Sequence, residues 1–226
     1  MREILGERRT NGNGNGKDGR DGDPALRRAA LRYARHRHWP VLPGAAVLED
    51  SGCACERPDC VVPGAHPADP PLLAATADPA MVAWWWTERP AAPIVLATGG
   101  RAPCAMSLPA LAGARALDAC DRLGVTTGPV LATPTRWMFL VEPYDLPELG
   151  ELLVEQEHVP SSLRFHGEGG YVPLPPSRTG AGNVWWVREP RSDDGGGVTL
   201  PRAAGLLDVL VAAGLTAPDQ GSRLAY

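Results

Sequence analysis

Lysine is almost missing from this chain: Lys17 is the sole one in 226 residues. The cationic groups are therefore guanidiniums, which favour bidentate contact with phosphate or carboxylate. The same bias toward Arg, Ala, Gly and Pro is that of GC-rich coding and points to an actinobacterial type of source. A basic balance is missing too, since the formal net charge is −4 and the pI about 5.7. A dedicated nucleic-acid binder usually advertises a basic surface, so this charge weighs against tight DNA binding. No run of 18 or more apolar residues occurs, which excludes a membrane-spanning helix. Met1 to Arg20 has no apolar core of a secretory signal. The expected location is the cytoplasm, where five cysteines suggest metal ligands or spare thiols sooner than disulfides. There is no internal repeat and no complete P-loop or dinucleotide fingerprint. Finally, no Asp or Glu lies between Arg101 and Asp118.

What is present reads as one folded unit. A hydrophobic content of 44% in 23.9 kDa suits a single domain with a real core. Residues 10–23, TNGNGNGKDGRDGD, have no apolar periodicity to offset the entropy of ordering. The expected organisation is a flexible leader and Gly/Asn linker over 1–22, a domain over 23–216 and a tail over 217–226.

Asp23 caps a predicted helix with Pro24 at its tolerated first position, and Leu26, Ala29, Ala30, Tyr33 and Ala34 repeat at helical spacing. Trp39, Val41 and Leu42 read as a short strand. Asp78-Pro79 starts a second helix, and Ile94 to Ala97 is a compact strand. Pro109 to Leu123 reads as a third helix, with Leu111, Ala114, Leu117 and Cys120 as its apolar stripe and Gly124 as its stop. Val130–Thr133 and Trp137–Val141 pair across a PTR turn, and Leu146–Glu155 is a helix. Leu163–His166 and Tyr171–Leu174 read as a hairpin around Gly-Glu-Gly-Gly. Val184–Val187 is a last strand and Arg202–Ala213 a closing helix. Such interspersion predicts a mixed α+β fold with an antiparallel sheet.

The sharpest local signal is Cys53-x-Cys55-x4-Cys60-x5-His66. Three thiols and an imidazole match a closed Cys3His zinc site, which is structural because no position is left for a catalytic water. Pro58, Pro63 and Gly64 let the loop fold back on itself. The bland alternative is three reduced thiols beside a surface histidine. Cys104 and Cys120 read as packing residues. In Trp84-Trp85-Trp86, neighbours on a helix point about 100° apart, so one ring must leave the buried face; it is either a base-stacking platform or a loop contact. Gly99-Gly100 and Gly167-Glu168-Gly169-Gly170 stand at strand ends, where amides can cradle phosphate but where glycine is more often a turn residue. Pro175-Pro176-Ser177 places the hydroxyl of Ser177 and the guanidinium of Arg178 in a loop suited to phosphate.

Taken in order, ALRYARHRHWPVLPG, CACERPDCVVPGAHP, DPAMVAWWWTERPAAPIVLATG, GPVLATP and GGYVPLPPSRTGAGNVWW resemble the bifunctional DNA primase/polymerase N-terminal domain family, over roughly Pro24 to Trp186. The resemblance implies an RRM-like antiparallel sheet with flanking helices, an archaeo-eukaryotic-primase type core, and nucleotidyl transfer at two divalent metals. It also exposes departures. Ala65 stands where the similar PGKHP loop has lysine. Cys104 and Met106, with Ser107 beside them, take the places of the D-x-D pair. Arg136-Trp137-Met138 replaces a histidine-bearing strand, and Arg164 stands near a third acid. Magnesium demands oxygen ligands, so no magnesium site is expected.

Three readings stay open. One is a non-catalytic module binding nucleotide, DNA or a partner protein, with Ser177, Arg178 and Arg164 as the nucleotide- or DNA-binding residues. A second is an active primase or polymerase with displaced carboxylates, drawn from Glu168, Glu142, Asp145 or Glu155. The third is a regulatory interaction protein that docks through its zinc loop and exposed tryptophans.

Overall fold

The computed structural model describes residues 24–50, 52–191 and 197–217. The expected leader, the Asp23 cap and the tail from 218 onward lie outside the described residues. In chain order the elements are α1 (Pro24–Arg37), β1 (Val41–Pro43), α2 (Pro79–Glu88), β2 (Ile94–Ala97), β3 (Cys104–Pro109), α3 (Ala110–Leu123), β4 (Val130–Ala132) and β5 (Arg136–Val141). There follow α4 (Leu146–Val154), β6 (Arg164–His166), β7 (Tyr171–Leu174), β8 (Arg178–Thr179), β9 (Gly182–Asn183), β10 (Trp185–Arg188) and α5 (Ala204–Thr216). The mixed α+β expectation holds, with antiparallel sheets rather than one sheet.

A five-stranded sheet runs β10-β4-β5-β3-β6 and a three-stranded sheet runs β1-β2-β7, every pairing antiparallel. β3, α3, β4, β5, α4 and β6 follow one another as a β-α-β-β-α-β unit, with β5 lying between β4 and β3. Two cores result. Cys104, Met106, Leu108, Phe139 and Val141 pack under α3 and α5 on one face of the larger sheet. Ala105, Leu131, Met138 and Leu140 turn to the other face, toward the smaller sheet and helices α1 and α2. The alternation follows from the two-residue period of a strand.

Capping logic sets the helix ends. The Asp78 side chain accepts from the Ala80 amide at 2.9 Å with Pro79 just inside α2, and Asp145 accepts from Glu148 N–H at 2.8 Å to start α4. Gly124, at φ 67°, ends α3 in the left-handed region that favours glycine. In α2, Trp85 and Trp86 are buried and Trp84 is 53% exposed. Trp86 donates its indole N–H to the Ala92 carbonyl at 3.0 Å. Removing a ring buried to this extent costs about 3–5 kcal/mol.

Two expectations need correction, and one strand comes in addition to those expected. β6 and β7 do not form a hairpin: β6 pairs with β3 and β7 with β2, so residues 167–170 carry the chain from one sheet to the other. That crossing is fastened by Thr98, whose hydroxyl donates to Gly167 O at 2.6 Å and whose amide donates to Gly170 O at 3.0 Å. Gly99, at φ 91°, abuts Glu168 so closely that a Cβ there would lie 2.4 Å from its Cα. These glycines thus permit backbone-on-backbone packing.

Secondly, the apolar stripe of α3 is rotated: Leu111 is 50% exposed, and Ala112, Gly113, Ala116, Leu117 and Cys120 are the buried set. Gly113 lets the helix close on Trp137, whose Cβ would be 2.5 Å from an added Cβ. Finally, residues 104–109, of which only Pro109 falls in an expected element, are a central strand, because both of its neighbours supply ladder partners.

Candidate functional site

Two candidate sites lie next to each other. The first is the loop after β1. The donor atoms of Cys53, Cys55, Cys60 and His66 all fall within 4.8 Å of one another. His66 Nε2 is 3.3 Å from Cys53 Sγ and 3.4 Å from Cys60 Sγ. Its Nδ1 donates to the Pro67 carbonyl at 2.7 Å, which turns Nε2 toward the thiols in the manner of a metal-ligating histidine. The residues expected from spacing are therefore brought together, and the set can hold a metal ion. Its softness, three sulfurs and one imidazole nitrogen, suits zinc.

The loop is tied to the domain by backbone. Ala45 N–H donates to His66 O at 2.9 Å, and Gly180 N–H donates to Pro63 O at 2.8 Å. Gly64, at φ 73°, packs against Val47, whose Cγ2 would lie 2.4 Å from an added Cβ, and against the backbone of Arg178 and Thr179.

The second site is a cavity of about 360 Å³, and the loop forms part of its wall. Val61, Val62, Pro63 and Ala65 line it from the loop, with Tyr171, Val172 and Pro173 from β7. Facing them are Ser107, Arg136, Met138, Arg164 and His166 from β3, β5 and β6. One wall is largely apolar and the other polar and cationic.

Arg136 is pinned. Its guanidinium donates to Ser107 O at 2.7 Å, to Ser107 Oγ at 3.1 Å and to Ser162 O at 2.8 Å. Ser107 Oγ also lies 2.9 Å from His166 Nε2. Since Oγ already accepts from Arg136, its proton points to His166, and the imidazole carries its own proton on the nitrogen facing the Tyr171 backbone. A serine beside a histidine is the arrangement of an activated nucleophile. Here Ser107 is completely buried and its oxygen is occupied, so the pair is a clamp between strands. Burial pushes the His166 pKa down to about 4, with Arg136 and Arg164 adding their repulsion. The imidazole is neutral at pH 7.

Arg164 sits directly across from Ser107 on β6. Among the described residues its guanidinium makes no ion pair or hydrogen bond. Among the described residues no carboxylate lines the cavity. Hydroxyls, a neutral imidazole and two guanidiniums do not fit magnesium, which takes oxygen ligands and is repelled by fixed cations.

The acids proposed as replacements lie elsewhere. Glu168 is exposed on the crossing turn, Asp145 caps α4, Glu155 ends it, and Glu142 lines a separate depression with Glu148 and Arg202. The two positions compared with the D-x-D pair also require correction. Cys104 and Met106 point into the core under α3 and α5, whereas Ala105 and Ser107 face the cleft side. A shift of one residue along a strand exchanges its faces, so 105 and 107 are the positions from which acids would reach the cleft.

Of the expected nucleotide-binding residues, only Arg164 lines the cavity. Ser177 is fully buried, and its Oγ accepts from the Ile94 amide at 2.7 Å, fastening β2 to the loop after β7. Arg178 is exposed and lies outside the lining. Sequence reasoning overlooked His166, Tyr171, Thr133 and Thr135, all of which line the cleft. The parity shared by Arg164 and His166 on β6 was the available signal.

The family model for the bifunctional DNA primase/polymerase N-terminal domain matches residues 30–203. No curated protein and no solved structure matches the chain. No helix among the described residues is long and apolar enough to cross a membrane.

Proposed function

The chain belongs to the bifunctional DNA primase/polymerase N-terminal family, and from that premise we propose that it is a catalytically silent member whose cleft binds nucleotide or DNA. One observation carries the reading: the cavity between the sheets offers two guanidiniums and, among the described residues, no carboxylate. Two-metal phosphoryl transfer rests on carboxylates that hold both ions. Electrostatic complementarity at this cleft favours a phosphate over a cation. The β3-α3-β4-β5-α4-β6 unit, with sheet order β4-β5-β3-β6, supports reading the larger sheet as an RRM-like core of the archaeo-eukaryotic primase type. Arg164 is the ligand-facing residue in this proposal. Ser177 acts by holding β2, and the exposed Arg178 is not among the lining residues.

The Cys3His loop takes a structural zinc in this reading. Its residues Val61, Val62, Pro63 and Ala65 wall the cleft, so the ion shapes a binding surface without touching ligand. A cytoplasmic setting suits it, since thiols stay reduced there. A protein partner would find Trp84 and Trp185, both exposed and both outside the cavity lining.

Primer synthesis decides the catalytic part. The purified chain, given single-stranded template, ribo- and deoxynucleoside triphosphates and either magnesium or manganese, is expected to make no product. Template-dependent product that disappears in Glu168→Gln would restore the active reading.

A further inference from the structure

We propose that the cleft takes the phosphate end of a mononucleotide-sized ligand as the free anion, seated on Arg164 and without magnesium. The proposal deepens the reading of the cleft as a nucleotide site and rests on it. Arg164 projects from β6 onto the cavity with no counter-ion among the described residues. A guanidinium that is partly withdrawn from water and unpaired gains from an anion placed against it, and its planar fork matches phosphate oxygens. Arg136 adds a second positive charge at a fixed position, because Ser107 and Ser162 hold it. Burial first, and then the repulsion of Arg136 and Arg164, depresses the His166 pKa, so the imidazole adds no opposing charge there.

The rest of the cavity suits the other half of such a ligand. At about 360 Å³ it lies near the lower end of the roughly 300–1,000 Å³ spanned by small-molecule sites. That favours a single nucleotide over an oligonucleotide. Val61, Val62, Pro63, Ala65 and Val172 supply apolar contact for a base or sugar. Tyr171 contributes a ring whose hydroxyl is held protonated by burial.

The magnesium prediction follows from the charges. A nucleotide carrying its metal brings a divalent cation into a cavity that already holds two guanidiniums and, among the described residues, no acid. The metal-free form is therefore preferred. This inverts the dependence of a polymerase, whose acids recruit the metal complex.

Calorimetric titration of the full chain with ADP tests it, first in EDTA and then in excess magnesium, with inorganic phosphate as a second probe. Saturable ADP binding in EDTA is expected, weakened severalfold by magnesium, with phosphate competing. Arg164→Ala is expected to lose about tenfold or more in affinity, with Arg164→Lys between the two. Circular dichroism confirms that each variant folds. ADP binding that strengthens with magnesium, or that is unchanged in a folded Arg164→Ala, overturns this inference and leaves the cleft as a nucleotide site. The absence of any nucleotide binding in either medium overturns both.

Discussion

The Cys3His loop and the floor of the cleft share a boundary and offer a cation opposite chemistry. On the loop, three thiols and an imidazole converge within 4.8 Å, a donor set that suits a soft-accepting divalent ion. On the floor, Arg136 and Arg164 stand where a hard ion would need carboxylates. Val61, Val62, Pro63 and Ala65 belong to both, being part of the metal loop and a wall of the cavity. The two neighbouring sites thus differ in donor chemistry: thiols and an imidazole on the loop, guanidiniums and, among the described residues, no carboxylate along the cleft.

Removing a donor from the loop breaks this contrast most strongly. Cys60→Ser is expected to lower bound zinc from about one equivalent per chain to near zero, as read by plasma emission spectroscopy on protein purified without added chelator. Nucleotide affinity should fall with it, since the wall loses its anchor.

A smaller effect is expected at the cleft's own anchor. Arg136→Ala strips hydrogen bonds from Ser107 and the Ser162 carbonyl, a loss of about 2–3 kcal/mol for a charged donor. Thermal denaturation should then shift down by roughly 4–10 °C for a domain of this size.

His166 gives the contrast a pH axis. Its folded pKa of about 4 lies below the ordinary 6.5, so between those values the unfolded chain binds a proton that the folded chain does not. The stability linked to neutral His166 is complete above pH 6.5 and is lost as pH falls through about 4, by an amount on the order of 3 kcal/mol. Urea melts across this window should show a shallower acid loss in His166→Asn. An equal slope in both proteins would remove the buried-neutral account of this residue.

The smallest effect sharpens the comparison. Arg164 has no partner to lose among the described residues, so Arg164→Ala is expected to alter stability by less than about 0.5 kcal/mol. A large destabilisation would mark Arg164 as a structural residue and weaken its assignment to ligand.

The loop was the more legible of the two sites. Its ligands lie within 14 positions of one another, so spacing alone gathered them. Helix starts were equally readable, because Asp78-Pro79 and Asp145 act on amides two or three residues away. The cleft was not, since its members come from strands distant in sequence and the choice of partner strand is not local. Gly-Glu-Gly-Gly looks like a hairpin turn, yet β6 and β7 go to different sheets. β3 escaped notice because CAMSLP has small, mixed side chains and no β-branched residue. With that strand missing, its alternation could not be applied, and Cys104 and Met106 were compared in place of Ala105 and Ser107. On α3 the stripe was drawn through large residues, although Ala112, Gly113 and Ala116 make the close approach.

Manganese, a paramagnetic stand-in for magnesium, offers the most direct test of a cation-repelling cleft. Titrated into zinc-loaded, isotope-labelled protein in the presence of nucleotide, it is expected to leave the amide resonances of Ser107, Arg164 and His166 no broader than those of a remote helix such as α5. Selective broadening of those three at low manganese would place a divalent ion in the cleft and contradict the account.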